Sequence, residues 1–82
     1  MDNDSPDAFD LLLGQILTEY KDASGLSFTT LAQQTGLGRA TIVRIMAGER
    51  TARVDYLRAI ASVLGTEAGD VIEEAERRES AR

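Results

Sequence analysis

The chain has 82 residues, 43% of them hydrophobic and 28% charged, with a formal net charge of −5. This length and composition give one small domain with a thin core, which leaves room for oligomerisation. The absence of Cys and His excludes disulfide bonds, thiolate or imidazole metal ligands and His- or Cys-based catalysis. The sequence also shows no nucleophile–base pair, metal-ligand cluster or phosphate-cradling loop, so we expect no metal ion, no cofactor and no enzyme.

The first predicted helix begins at Ser5 and Pro6, with Ser5 as the N-cap and Pro6 at the first helical position. Lys21 and Gly25 mark its end. Residues 1–5 are predicted to be a flexible acidic arm. The apolar residues of this helix recur at helical spacing and form one stripe: Phe9, Leu12, Leu13, Ile16, Leu17 and Tyr20.

Two short helices joined by a tight turn follow. Ser27 is the predicted N-cap of the second helix, Phe28 to Thr35, and Gly36 ends that helix with a positive φ. Gly38 opens the third helix, Arg39 to Ala47. This is the helix-turn-helix arrangement, in which the second of the two helices enters the major groove of DNA.

The rest of the chain predicts two more helices, from Arg53 to Leu64 and from Glu67 to about Arg78. Nothing alternates with a period of two, so the fold class is predicted to be all-α. We expect the domain to span residues 6–78, with residues 79–82 as a flexible tail. The apolar residues of the fourth helix recur at i+3 and i+4 steps: Val54, Leu57, Ile60, Ala61 and Leu64.

The fifth helix carries an apolar stripe of three residues, Val71, Ile72 and Ala75. Such a stripe on a terminal helix closes the core of the protomer, or in part forms a seam between two copies. We therefore interpret these residues as core residues and as a possible dimer seam.

The charge is distributed unevenly along the chain. Residues 23–64 carry five arginines against two acids, a net charge of +3, whereas residues 1–22 and 65–82 carry −5 and −3. A local patch dominates contacts within a Debye length, about 8 Å at physiological salt. The basic middle can therefore face DNA, while the acidic ends weaken non-specific binding.

The outer face of the third helix carries the candidate base-reading residues, Arg39, Ala40, Val43 and Arg44. Arg39 and Arg44 can each bind O6 and N7 of guanine in a bidentate manner, and Ala40 and Val43 can contact thymine methyl groups. The alternative interpretation is a solvated helix face with two surface arginines.

The candidate contacts to the DNA backbone are Ser27, Phe28, Thr41, Arg50 and Arg53. Ser27 stands at a helix N-terminus, which attracts phosphate, although capping of its own helix also explains it. Arg50 and Arg53 follow the third helix and are equally well explained as surface charge. Phe28 either packs on the core or braces an arginine of the third helix.

Residues 7–75 resemble the Cro and phage-repressor-like helix-turn-helix domains of the XRE type. The resemblance implies a compact five-helix, lambda-repressor-like domain that binds operator DNA, commonly as a dimer. It also implies base reading by Arg39, Ala40 and Arg44. The positions that match phosphate contacts of the family are Ser27, Phe28 and the loop through Arg50. The residues that carry it are Leu31-Ala32, Gly36-Leu37, Ile42, Ile45, Gly48 and the run from Tyr56 to Gly65.

The sequence departs from this family at two positions that matter for the argument. The family often has Gln where this chain has Phe28, and Ser or Thr where it has Gly38. A Gln at the first position can bind a phosphate and brace the third helix, and Phe cannot do the former through its side chain. Gly is a weaker N-cap than Ser or Thr.

We therefore predict a sequence-specific regulator that binds double-stranded operator DNA, most simply a Cro-like or short phage immunity repressor with residues 39–47 in the major groove. Alternatives are an antitoxin or a protein-interaction module of the same fold, with an acidic arm that binds a partner protein. Met1 precedes acidic residues and no apolar run is long enough to cross a membrane, so we expect no signal peptide and a cytoplasmic location.

Overall fold

The structure, a computed structural model, describes residues 7–81. These residues form helices and no strands, which confirms the predicted all-α class. The five helices are α1 (Ala8–Ser24), α2 (Phe28–Thr35), α3 (Arg39–Met46), α4 (Val54–Val63) and α5 (Ala68–Ser80).

The start of α1 differs from the prediction. Its N-cap is Asp7, whose Oδ1 accepts a hydrogen bond from the Asp10 N–H at 3.1 Å. Asp10 Oδ2 accepts in return from the Asp7 N–H at 3.0 Å, which completes a reciprocal capping box. Ser5 as N-cap is therefore wrong, because Asp7 holds that position; Ser5, Pro6 and the rest of the predicted arm lie outside the described residues.

The helix-turn-helix segment matches its prediction closely. Ser27 is the N-cap of α2, and its Oγ accepts a hydrogen bond from the Thr30 N–H at 3.1 Å. Gly36 has a φ of 77°, a left-handed conformation that glycine adopts without steric cost. α3 ends at Met46, with Ala47 as its C-cap, one residue earlier than predicted.

All five helices contribute to one core. Val54 belongs to the apolar stripe of the fourth helix but is 68% exposed, whereas the other members of the stripe are buried. Helical side chains tilt toward the N-terminus of their helix, so Val54 at the first position of α4 projects beyond the packed part of the stripe. The largest fully buried side chains are Ile16, Leu17, Leu31, Ile42, Ile45, Ile60 and Val71.

α1 crosses the C-terminal end of α3 at very short range. A Cβ on Gly14 would lie 2.7 Å from the carbonyl oxygens of both Ile45 and Met46, so a larger residue cannot fit there without moving the backbone. The Thr18 hydroxyl donates to the Gly14 carbonyl at 2.8 Å and lies 3.4 Å from the Met46 carbonyl oxygen. α1 therefore fixes the position of the last turn of α3.

Gly48, two residues after the end of α3, makes a second close contact with α1. It has a φ of 75°, and a Cβ there would lie 2.6 Å from Leu11 Cδ1 and 2.9 Å from Leu11 Cα. Both the backbone conformation and the approach of α1 therefore require glycine. The chain that leaves α3 therefore passes directly against α1.

Gly14→Ala is expected to destabilise the fold by about 1–3 kcal/mol, because the clash with two backbone carbonyls outweighs the roughly 1 kcal/mol gain in helix propensity. Gly69→Ala in α5 is the matched control, since its Cβ would meet no atom within 4 Å. We expect that control to be neutral or stabilising by up to about 1 kcal/mol. Urea unfolding followed by circular dichroism measures both changes, and equal effects would contradict the close approach.

Arg78 links α5 to α1. Its Nη1 and Nη2 donate to the two carboxylate oxygens of Glu19 at 2.8 and 2.7 Å, and its Nε donates to Glu74 at 2.9 Å. The hydrogen bonds from Arg78 lower the pKa of both carboxyl groups, and Arg77 assists at Glu74. α5 continues to Ser80, so it extends into the tail predicted over residues 79–82.

This ion-pair network predicts a loss of stability in acid. Because Glu19 and Glu74 have a lower pKa in the folded chain than in the unfolded chain, their contribution is complete above the unfolded pKa of about 4.3. It disappears as the pH falls through the folded pKa. The difference in urea midpoint between the unmodified chain and Arg78→Gln should therefore be present at neutral pH and shrink in acid; a difference independent of pH would contradict this.

Candidate nucleic-acid interface

The outer face of α3 is accessible over its length. Arg39, Ala40 and Arg44 are exposed, and Val43 is half-buried. Ala40, Val43 and Arg44 follow the i, i+3, i+4 spacing that places side chains on one helix face, and Arg39 lies one turn before Val43. The four predicted base-reading residues therefore share a surface of two cations and two short apolar side chains.

Phe28 connects this surface to the neighbouring helices. It packs against the core at the start of α2, while Lys21 Nζ lies 4.4 Å and Arg39 Cζ 5.8 Å from the centroid of its ring. Cations within about 6 Å of a ring face are attracted to it. Phe28 thus adopts both arrangements that the sequence left open, packing on the core and contacting Arg39.

The two predicted hydroxyl contacts lie in the first turns of α2 and α3. Ser27 is exposed, and its Oγ caps α2 and also donates to Thr30 Oγ1 at 3.0 Å. Within residues 7–81 the backbone N–H groups of Phe28 and Thr29 donate no hydrogen bond, as is usual at a helix start. Thr41 is half-buried in α3.

The loop that follows α3 is linked to α1 by a side-chain hydrogen bond. Thr51 Oγ1 donates at 3.1 Å to Asp10 Oδ2, the same oxygen that accepts from the Asp7 N–H. Asp10 is only 9% exposed. A buried carboxylate is stable when hydrogen bonds satisfy it, so this contact holds the loop in place.

Thr51→Val is expected to loosen the loop, because it removes the hydroxyl donor while keeping the shape of the side chain. Stability should fall by about 0.5–1.5 kcal/mol. Hydrogen exchange at Gly48 and Glu49, whose N–H groups donate to carbonyls of α3, should become faster. Thr29→Val at an exposed position of α2 is the control; if the two variants behave alike, the link to Asp10 does not hold the loop.

Arg50 and Arg53 both lie against the ring of Tyr56, with Cζ at 5.9 and 4.7 Å from its centroid. Arg53 is also paired with Asp55, the closest contact being Nη2 to Oδ2 at 3.0 Å. Both arginines are exposed beside the loop that follows α3. The structure therefore brings the two predicted cations together and engages one of them with a carboxylate.

The α5 stripe does not form a surface seam as a whole. Val71 and Ala75 are completely buried in the protomer, because α5 packs on α1 and α4. Their assignment to a dimer seam is therefore wrong. Ile72 is half-buried, and it lines a groove between α4 and α5 together with the exposed Val54.

Sequence reasoning missed Gly14 and Asp10, which fix the positions of α3 and of its following loop. Each of the two residues belongs to a recognisable local pattern in the sequence. A glycine inside an apolar helical run indicates a close backbone approach when it serves no turn. Two aspartates three residues apart at a helix start have the spacing of a capping box.

No helix among residues 7–81 has the length and apolar character needed to cross a membrane. In the same part of the chain, no three Asp or Glu side chains are grouped closely enough to hold a metal ion.

The family model for the helix-turn-helix domain matches residues 12–75. Among solved structures, the clp gene regulator ClgR from Corynebacterium glutamicum has a TM-score of 0.82 and 18% identity, over 93% of this chain and 81% of that one. The restriction-modification controller protein C.AhdI from Aeromonas hydrophila has a TM-score of 0.74 and 31% identity, over 79% of this chain and 98% of that one.

A chain of the SinR protein/SinI protein complex has a TM-score of 0.72 and 21% identity, over 80% of this chain and 65% of that one. A search of curated proteins finds no match.

Proposed function

Because this chain belongs to the helix-turn-helix domain family and is a DNA-binding transcription regulator of the XRE type, we propose that it is a repressor that occupies an operator in the cytoplasm. The predicted family and the lambda-repressor-like five-helix fold are both confirmed. The family and fold are those of DNA-binding regulators rather than enzymes. A bound repressor of this size acts most simply by excluding polymerase from the promoter.

One observation carries the proposal. α3 presents Arg39, Ala40, Val43 and Arg44 outward, while its inner face is buried and its C-terminal end is fixed against α1. A helix held in this way can enter the major groove as a rigid body. Arg39 and Arg44 then read guanine, and Ala40 and Val43 contact thymine methyl groups.

Contacts to the DNA backbone surround this helix. The free N–H groups at the start of α2, beside Ser27 and Phe28, favour a phosphate at the positive end of the helix dipole. Thr41 lies on α3 and Arg50 follows it, where backbone phosphates flank an inserted helix. Arg53 also follows α3, but it is paired with Asp55. These contacts supply affinity and register, and the face of α3 supplies specificity.

The groove between α4 and α5 is the surface that we assign to a homodimer. Val54 is 68% exposed at its edge and Ile72 lines it. Arg58 and Glu67 line the same groove. In a two-fold dimer the groove of one protomer packs against the same groove of the other. Arg58 of one protomer can then pair with Glu67 of its partner. Such a dimer presents two copies of α3 to two half-sites.

A protein-binding function is the alternative, whether as an antitoxin or as an interaction module. The acidic surface of α5 favours it, since this helix carries five acidic residues against two arginines. The salt dependence of the binding affinity distinguishes DNA binding from protein binding. Binding through phosphates weakens steeply with added salt because counterions are released, whereas an apolar protein interface responds little.

Arg44→Ala tests the proposed function directly. We expect it to cost about 1–3 kcal/mol on the preferred site and to relax the preference at one base position. The control is Arg77→Ala, which removes the same charge from an exposed position of α5, where Arg77 pairs with Glu74.

Binding titrations on the preferred duplex and on duplexes changed at single positions measure both variants. Arg77→Ala should leave the sequence preference intact. An unchanged preference in Arg44→Ala would remove this residue from base reading.

A further inference from the structure

Five arginines lie between residues 25 and 66, and within residues 7–81 only Arg53 among them forms an ion pair. Its Nε donates to Asp55 Oδ1 at 3.2 Å and its Nη2 donates to Asp55 Oδ2 at 3.0 Å. This is the bidentate geometry in which guanidinium and carboxylate match best. The two side chains are 63% and 61% exposed, so an anion from solution, such as a DNA phosphate, can reach the pair.

Both members of the pair are held in place by Tyr56. The Tyr56 N–H donates to Asp55 Oδ1 at 3.0 Å, which fixes the carboxylate. Arg53 Cζ lies 4.7 Å from the centroid of the Tyr56 ring, which favours one position of the guanidinium. Asp55 also lies in the first turn of α4, where a negative charge interacts favourably with the helix dipole. The pairing therefore requires little additional ordering of side chains.

Arg50 can be compared directly with Arg53. It lies against the same ring, at 5.9 Å, and belongs to the same loop, but it forms no ion pair within the described residues. The loop itself is fixed by the bond from Thr51 to Asp10. Two cations thus lie side by side after the end of α3, and within residues 7–81 only Arg53 has a carboxylate bound to its guanidinium.

We propose that Asp55 withholds Arg53 from DNA phosphates and so keeps sequence-independent affinity low; this inference rests on the proposed function. The carboxylate occupies the Nε and Nη2 edge of the guanidinium, where two phosphate oxygens would bind. A phosphate must displace Asp55 or approach against its charge. Because non-specific binding is almost entirely electrostatic, one withheld cation weakens it measurably.

Asp55→Asn tests this inference. The amide keeps an oxygen that can accept from the Tyr56 N–H, but the negative charge is lost. Glu49→Gln is the matched control, because it removes the same charge from an exposed residue of the loop before α4 that has no ion pair in the described part of the chain. Fluorescence anisotropy with a random-sequence duplex gives the affinity over a series of salt concentrations, after circular dichroism has shown that the variants are folded.

We expect Asp55→Asn to bind about three- to eightfold more tightly at roughly 0.1 M salt and to steepen the slope of log K against log salt by about 0.9, the value for one more phosphate contact. Glu49→Gln should change the affinity by less than about twofold, since Glu49 forms no ion pair within the described residues and its neutralisation releases no arginine for a phosphate. Adding Arg53→Ala to Asp55→Asn should abolish the gain.

Three results would overturn the inference, and they are distinguishable. Equal shifts in Asp55→Asn and Glu49→Gln would show an effect of bulk charge alone. Weaker binding by Asp55→Asn would show that the carboxylate positions Arg53 for DNA instead of withholding it. If the unmodified chain binds no DNA at low salt, the proposed function itself fails and this inference fails with it.

Discussion

The contact between α1 and the C-terminal end of α3 is the constraint on which the rest of the structure depends. Gly14 allows α1 to lie directly on the last carbonyl groups of α3, and Gly48 turns the chain back against α1. A short helix of this kind has little stability of its own, since isolated helices below about 12 residues are marginal. Its direction is therefore set by packing, and that packing determines where Arg39 and Arg44 point.

The distribution of charge explains how an acidic chain can bind DNA. The acids are concentrated on α1 and α5, while the face built around α3 is basic. This arrangement limits the long-range attraction between the chain and any polyanion, so the proposed function depends on short-range contacts with base edges. Low sequence-independent affinity is useful to a regulator, because non-specific sites vastly outnumber the operator.

Local patterns predicted much of the fold and less of the site. The bounds of α2 were correct because Ser27 and Gly36 act through their own backbone neighbours. The spacing of Val54 fits the apolar stripe of α4, but spacing does not say where packing ends. The position of Gly14 inside an apolar run indicates a close approach, but which helix approaches it, like the pairing of Arg53, depends on which helices and rotamers meet in space.

Selection from a random duplex DNA library, followed by sequencing of the bound fraction, tests most directly the claim that the outer face of α3 reads DNA. We expect enrichment of a two-fold motif whose half-sites lie about one helical turn, roughly 10 base pairs, apart, with guanine at the positions read by Arg39 and Arg44. No enrichment over the starting library at low salt would contradict it.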